Sequence, residues 1–343
     1  MQMTTHGKMS KRPLGDGFLA STVSFGAMGM SEFYGTRPAD EDSLTVLERA
    51  LALGVTMFDT ADMYGRGHNE QLIGRLLARH KAEYVAGGFA IATKFGIDRS
   101  NADPYKRGIN NDPAYIRRSC EASLQRLGID CIDLYYAHRV NPDVDISETI
   151  GVLSELVHEG KIAHIGLSEV SPATLRKAHA VHPVAAVQSE YSLWTRDVEA
   201  SVLPVCRELG IGFVAYSPLG RGFLTGKYET RDSFEAGDFR LNNNPRFEGE
   251  NFRRNLLLLP ELRRIAGEVG CTPAQAALAW LLAKEERLVV IPGTRNISRL
   301  EENCAAAAVS LSREHAARLD AFFSPGVAHG ERYSQEGMKG VNA

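Results

Sequence analysis

The chain reads as one α/β domain, a single (β/α)8 barrel with an N-terminal β-hairpin and extra C-terminal helices. Three observations predict this. Short apolar runs alternate eight times with amphipathic helical stretches, which implies a parallel sheet. Eight such units over about 300 residues fit a closed barrel better than an open sheet. A doubly wound sheet holding a dinucleotide would need a Gly-x-Gly-x-x-Gly turn after an early strand. The first strand ends instead in Gly26-Ala27-Met28-Gly29-Met30. No composition break marks a linker, so the barrel is expected over residues 13–323, with residues 1–12 and 324–343 as loose ends.

Each element follows from its pattern. Two short apolar pieces flank Gly15-Asp16-Gly17, which reads as the hairpin, and Val23-Ser24-Phe25-Gly26 is the first barrel strand. Glu41 to Leu53 has helical spacing, and Thr56 to Asp59 is the second strand. His68 to Arg79 places Leu72, Ile73, Leu76 and Leu77 on one side of a helix. Phe89 to Lys94 is the third strand, Pro113 to Leu127 a helix, and Ile132 to His138 the fourth strand. Helices at Ile146–Glu159, Ala173–His182 and Val198–Leu209 alternate with strands at Ile162–Ser168, Ala185–Gln188 and Gly212–Ser217. After a long polar stretch come a helix at Pro273–Lys284 and the eighth strand at Leu288–Ile291. Asn296–Ala307 and Arg313–Phe323 close the barrel as helices. Leu219 to Asn255 shows no clear element, and a loop that long is expected to act as a lid.

Composition narrows the function. A hydrophobic content of 44% gives ample core material, and a formal net charge of −3 offers no global attraction to nucleic acid or an anionic membrane. Five scattered cysteines without a Cys-x-x-Cys pair argue against a disulfide framework or structural zinc and fit a reducing compartment. Met1 to Pro13 is polar and basic, unlike a secretory signal, and no run approaches the ~18 apolar residues of a membrane helix. A soluble cytoplasmic protein is expected, monomer or homo-oligomer, with no metal centre.

In a barrel, the C-terminal ends of the strands carry the chemistry. Asp59 ends the second strand, Lys94 the third and His138 the fourth, and Tyr64 follows in the loop after the second. Neighbouring strands lie about 4.8 Å apart, so all four project at one rim within reach of each other. Singly, each has a bland explanation: a helix cap, a rim ion pair, loop packing, a satisfied core histidine. Together they are harder to dismiss, because buried charge is costly unless it is paired or used. A phenol with a pKa near ~10 is normally a poor acid. Lys94 beside it would favour phenolate, Asp59 would hold Lys94 charged, and His138 would bind the substrate oxygen. This set donates a proton to an oxygen that gains negative charge, and the hydride must come from a cofactor.

The sequence resembles the aldo-keto reductases over nearly its whole length. The matching pieces are Gly26-Ala27-Met28-Gly29, Phe58-Asp59-Thr60-Ala61-x-x-Tyr64-Gly65 with Asn69-Glu70 and Gly74, Ala92-Thr93-Lys94, and Asp133-Leu134-Tyr135-Tyr136-x-His138. Further on come Gly166-Leu167-Ser168, Gln188-x-Glu190-Tyr191-Ser192, Tyr216-Ser217-Pro218-Leu219-Gly220-Arg221-Gly222, Ile291-Pro292-Gly293-Thr294 and Arg299-x-x-Glu302-Asn303. The resemblance implies a barrel reductase with Tyr64 as general acid and Asp59, Lys94 and His138 completing a tetrad. It also implies a nicotinamide cofactor, with Gly26 and Met28 beside it. Ser168 and Gln188 would bind its carboxamide, Tyr216 would stack on its ring, and Ser217, Leu219 and Arg221 would hold its pyrophosphate. Glu169 departs from the family's usual Asn and resembles a plant and bacterial subgroup.

The last segment bears on cofactor choice. Ser298 and Glu301 have the spacing of a capping box before a helix, and a helix N-terminus with two arginines is an anion site. After the eighth strand, where barrels often hold phosphate, Arg299 and Thr294, with Arg295 as a further candidate, would hold a 2′-phosphate, Gly293 would lie against the cofactor, and Glu302 and Asn303 would contact the adenine, implying NADPH (NADP+). Met28, Met30, Phe33, Tyr34, Phe95, Tyr105 and Trp194 are candidate walls for a small carbonyl substrate. Two alternatives compete with a reductase. A Schiff-base lyase or isomerase on Lys94 leaves Tyr216 and Arg299 without work. A cofactor-binding regulatory subunit, as in the family's potassium-channel-associated members, predicts little turnover and a protein partner.

Overall fold

The computed structural model describes residues 9–99 and 108–343. Residues 1–8 of the 1–12 stretch expected to be loose, and the candidate wall Tyr105, lie outside the described residues, whereas Lys11 and Arg12 are not loose but belong to the first strand of the hairpin. In chain order the strands are β1 (Lys11–Pro13), β2 (Leu19–Ser21), β3 (Phe25–Gly26), β4 (Met57–Asp59), β5 (Ala90–Phe95), β6 (Ile97–Asp98), β7 (Gly108–Ile109), β8 (Ile132–Ala137), β9 (Ile162–Ser168), β10 (Val184–Glu190), β11 (Gly212–Tyr216) and β12 (Leu288–Val290). β1 and β2 form the expected antiparallel hairpin, and β6 pairs antiparallel with β7.

The other eight run parallel in the order β3-β4-β5-β8-β9-β10-β11-β12, and a parallel bridge between Val23 and Val290 joins the two ends. The result is a (β/α)8 barrel. Successive strand residues face opposite sides. Met57, Ala92, Leu134, Tyr136, Ala186, Val214 and Val289 therefore fill the interior. Their partners two residues on, Asp59, Lys94, His138, Gln188 and Tyr216, belong to the same inward rows, one layer nearer the C-terminal rim. At the opposite end Leu14, Phe18 and Ala20 of the hairpin plug the floor. The larger core lies between the strands and the surrounding helices.

Besides the unexpected short helix Lys81–Val85 and the β6–β7 pair, other stretches differ from the sequence expectation. Leu219–Asn255 is not featureless. It carries a helix at Phe239–Asn242 and another at Gly249–Leu256, and a further helix follows at Leu259–Val269. The Leu259–Val269 helix has apolar residues at Leu259, Leu262, Ile265 and Ala266, a pattern hidden by the run of leucines before it. The helix Ile297–Ala305 is capped by Asn296, whose side chain accepts from the Arg299 N–H at 3.1 Å, rather than by Ser298.

Residues 324–343, which by their glycines read as a loose tail, are seated across the barrel mouth. The His329 N–H donates to Asn255 Oδ1 at 2.8 Å, and Arg246 Nε donates to the Gly330 carbonyl at 3.2 Å. The Asn342 N–H donates to the Glu169 carbonyl at 2.8 Å, and the Ser171 N–H to the Ala343 carbonyl at 2.9 Å. Composition misleads here because the polar anchors are single residues spaced along a glycine-rich run.

Candidate active site

The loop that carries Tyr64 is fixed by buried polar groups. Thr60 Oγ1 donates to Asn69 Oδ1 at 2.6 Å, and Asn69 Nδ2 donates to the Ala27 carbonyl at 2.9 Å. Thr93 Oγ1 and Arg126 Nε each donate to Glu70 at 2.6 Å. These bonds tie the loop to β3, β5 and the helix Pro113–Leu127, and being buried they are costly to leave unmade. Gly67, at φ +89°, makes the last turn before the helix, and a Cβ there would meet Arg126 Cδ at 2.8 Å.

Asp59, Tyr64, Lys94 and His138 do meet at the rim, all buried. Lys94 Nζ donates to Asp59 Oδ1 and to the Thr60 carbonyl at 2.7 Å. Gln188 Nε2 donates to the other Asp59 oxygen at 2.7 Å. The Tyr64 ring stands edge-on to His138, with centroids 5.8 Å apart, and edge-on to Phe33. Lys94 Nζ lies 5.3 Å from the centre of the Tyr64 ring.

The net direction at Tyr64 is upward, although Lys94 is expected from the sequence to pull it down. Burial, then the Asp59 charge, push the Tyr64 phenol well above its ordinary value, and the cation that opposes them is Arg139. Lys94 is committed to Asp59 and Thr60 under the ring. Burial lowers the Lys94 pKa and raises that of Asp59, while each partner opposes the shift of the other.

A cavity of about 1580 Å³ runs from Asp59, Tyr64 and His138 to Arg299, Glu302 and Asn303. That exceeds the roughly 300–1,000 Å³ of ordinary small-ligand pockets and leaves room for a dinucleotide with a substrate. Gly26, Met28, Ser168, Gln188, Tyr216, Ser217, Leu219, Arg221, Gly293, Thr294 and Arg295 all line it. Lys94 does not; it lies beneath. Met28, Phe33 and Tyr34 are on the lining, whereas Met30 and Phe95 are buried behind it and Trp194 stacks on Phe223 with centroids 4.4 Å apart.

The donors along this cavity suit a nicotinamide dinucleotide. Ser217, Gly220, Arg221 and Gly222 have φ between +48° and +89°. Among the described residues the Leu219 and Arg221 N–H groups have no acceptor. Such alternating turns present N–H groups to anions. The Gln188 amide oxygen likewise takes no hydrogen bond from the described residues. Gly293 and Gly26 approach so closely that a Cβ on Gly293 would meet the Gly26 carbonyl at 2.5 Å. Arg295 Nε and Nη1 donate to the Gly29 and Thr36 carbonyls at 2.6 and 2.7 Å while its Nη2 has no partner, and among the described residues nothing engages the Arg299 side chain.

Four residues here were not singled out for these positions. Arg139 follows His138 into the cavity, and its place at a strand end was the signal available. Glu169 accepts from the Tyr216 hydroxyl at 2.8 Å, the Glu190 N–H at 2.9 Å and Arg332 at 3.2 Å. The Tyr333 hydroxyl is 2.8 Å from that of Tyr216 and accepts from Arg221 at 2.9 Å. Nothing in the tail's pattern marks Arg332 or Tyr333. Glu169 thus holds Tyr216 and the tail, and is not on the cavity lining.

Among the described residues no group of His, Cys, Asp and Glu could hold a metal ion, and no helix is long and apolar enough to cross a membrane. Comparison with solved structures finds a glycerol dehydrogenase from Gluconobacter oxydans at 28% identity, covering 91% of this chain and 94% of that one with a TM-score of 0.82. A thermostable aldo-keto reductase solved with the inhibitor epalrestat is 29% identical over 92% of this chain and all of its own, with a TM-score of 0.71. The holo form of an aldo-keto reductase from Bacillus halodurans is 26% identical over 96% and 99% of the two chains, with a TM-score of 0.76. The model of the aldo/keto reductase family matches residues 22–323. With that family match and the fold of those enzymes shared over nearly its full length, the chain is an oxidoreductase belonging to the aldo/keto reductase family.

Proposed function

We propose that the protein is an NADPH-dependent reductase that converts aldehydes or ketones to alcohols, with Tyr64 as the general acid. One observation carries this reading. A single cavity joins the Asp59–Tyr64–His138 rim to the unengaged Arg299 side chain at the helix start Ile297–Ala305. The reduced nicotinamide, when bound, supplies a hydride to the carbonyl carbon. Everything else is the work of the chain's residues. Ser168 and the free Gln188 oxygen orient the carboxamide, Tyr216 gives the ring a flat support, and the Ser217–Gly222 turn binds the pyrophosphate. Tyr64, protonated at any ordinary pH because its pKa lies well above that of a free phenol, gives its proton to the carbonyl oxygen. His138 fixes that oxygen, and the buried Lys94–Asp59 pair braces the floor under the Tyr64 ring. Arg299 and Thr294 pair with the 2′-phosphate, Glu302 and Asn303 with the adenine, and the segment 219–255 closes over the pyrophosphate.

The Schiff-base alternative fits poorly, since Lys94 has no exposure and no place on the cavity lining. A cytoplasmic setting agrees with five cysteines that are all unpaired. The test is loss of NADPH absorbance with 4-nitrobenzaldehyde for the wild type and Tyr64→Phe. Turnover in the wild type and a drop of ~10²–10⁴-fold in the variant are expected. Equal rates would remove Tyr64 from the mechanism, and tight NADPH binding without turnover would favour a regulatory role.

A further inference from the structure

Arg139 follows His138 immediately and lines the cavity. Its Nη1 donates to the His138 carbonyl at 2.7 Å and to Ser168 Oγ at 3.3 Å. Among the described residues its Nε and Nη2 have no hydrogen-bond partner, and no carboxylate pairs with it. Three arginines around it do have carboxylates: Arg221 pairs with Glu190 at 3.4 Å, Arg240 with Asp238 at 2.6 Å and Arg332 with Glu169 at 3.2 Å. The tail passes alongside Arg139, for a Cβ on Gly340 would meet its Cδ at 3.5 Å. Burial alone would weaken its charge, but Tyr216 and Glu169 nearby outweigh that and keep it a cation.

A half-buried guanidinium that feels the Glu169 charge nearby but has no carboxylate on its own N–H groups still has two donors to satisfy, and a ligand anion would satisfy them. On the reading proposed above, the cofactor's anionic groups are held elsewhere, by the Ser217–Gly222 turn and by Arg299. The anion at Arg139 must then belong to the substrate, whose carbonyl sits between Tyr64 and His138. We propose that Arg139 anchors a substrate carboxylate, so that the preferred substrates are carbonyl compounds that also carry a carboxylate. This narrows the expectation of an apolar or aromatic aldehyde: Met28, Phe33 and Tyr34 line the cavity but supply no charge. Three acidic groups on the same lining are already neutralised, Asp59 by Lys94, Asp238 by Arg240 and Glu336 by Lys339 at 2.7 Å.

The test compares kcat/KM for 4-oxobutanoate and 4-formylbenzoate with kcat/KM for their methyl esters, using NADPH, in the wild type, Arg139→Met and Arg139→Lys. The wild type is expected to favour at least one acid over its ester by about 10- to 100-fold, as a desolvated charge pair would. That ratio should collapse toward one in Arg139→Met and recover in part in Arg139→Lys. Wild-type turnover of the esters with no preference for either acid would overturn the proposal and leave the reductase reading intact, whatever the variants do. An acid preference that survives Arg139→Met would overturn it as well. Failure of the wild type to oxidise NADPH with any of the four compounds would overturn the reductase reading and this inference with it.

Discussion

At the scale of single residues, the rim is arranged to keep protons where they are. The Tyr64 phenol is raised, Lys94 is locked against Asp59, and the amide of Gln188 ties the remaining Asp59 oxygen. Residue order alone could place these groups at neighbouring strand ends, because a two-residue alternation decides which side chains point inward. It could not decide which cation faces the phenol, since that depends on where the long Lys94 and Arg139 side chains turn. The far end of the cavity offers a sharper residue-scale contrast. Arg295 turns two of its nitrogens to backbone carbonyls, while among the described residues Arg299 turns its side chain to none. Arg299→Ala should therefore weaken NADPH binding by about 10- to 100-fold, the value of one lost charge-assisted pair, and leave NADH binding nearly unchanged. Fluorescence titration with both cofactors measures this, and equal loss for the two would reject the 2′-phosphate assignment.

At the scale of elements, helix pairing at the end of the chain shows how exposed charge contributes. Glu268, on the helix Leu259–Val269, accepts from Arg318 Nη1 at 2.6 Å on the helix Arg313–Phe322. That hydrogen bond, above all, pushes the Glu268 carboxyl from the ordinary 4.5 down to about 2. Its folded pKa is thus below its unfolded one. The stabilisation is fully present above pH 4.5, falls as the pH falls, and is gone once the folded group protonates near pH 2. Urea unfolding of the wild type and Glu268→Gln at pH 7 and pH 3 should show the gap between them shrinking at the lower pH. A gap independent of pH would mean that the ion pair does not hold these helices together. The partner helix Leu259–Val269 was also the element least visible in the sequence. Its apolar face merges with Leu256-Leu257-Leu258, whereas the eight barrel strands, each bounded by polar turns, could be read directly.

At the scale of the whole molecule, the barrel is closed over its own mouth by the last twenty residues, and no local pattern could reveal this. The link runs through Glu169, at φ +55° just after β9, which is buried together with Arg332. The Glu169 carboxyl is held below its usual range: burial works to raise it, but Arg332 and Arg139 outweigh that. Removing Arg332 would leave a buried carboxylate short of its partner, which typically costs about 3–5 kcal/mol. The Tyr216 hydroxyl and the Glu190 N–H remain on Glu169, so Arg332→Met should cost about 3 kcal/mol, the lower end of that range. Glu169→Gln also breaks the pair but leaves no buried anion. If the tail is held by this charge pair, the double variant Glu169→Gln/Arg332→Met should be more stable than Arg332→Met alone, because the orphaned charge is gone. Chemical denaturation of the four proteins measures the coupling. Strictly additive losses would mean that Arg332 holds the tail by packing, and that the charge of Glu169 serves Tyr216 rather than the closure of the barrel.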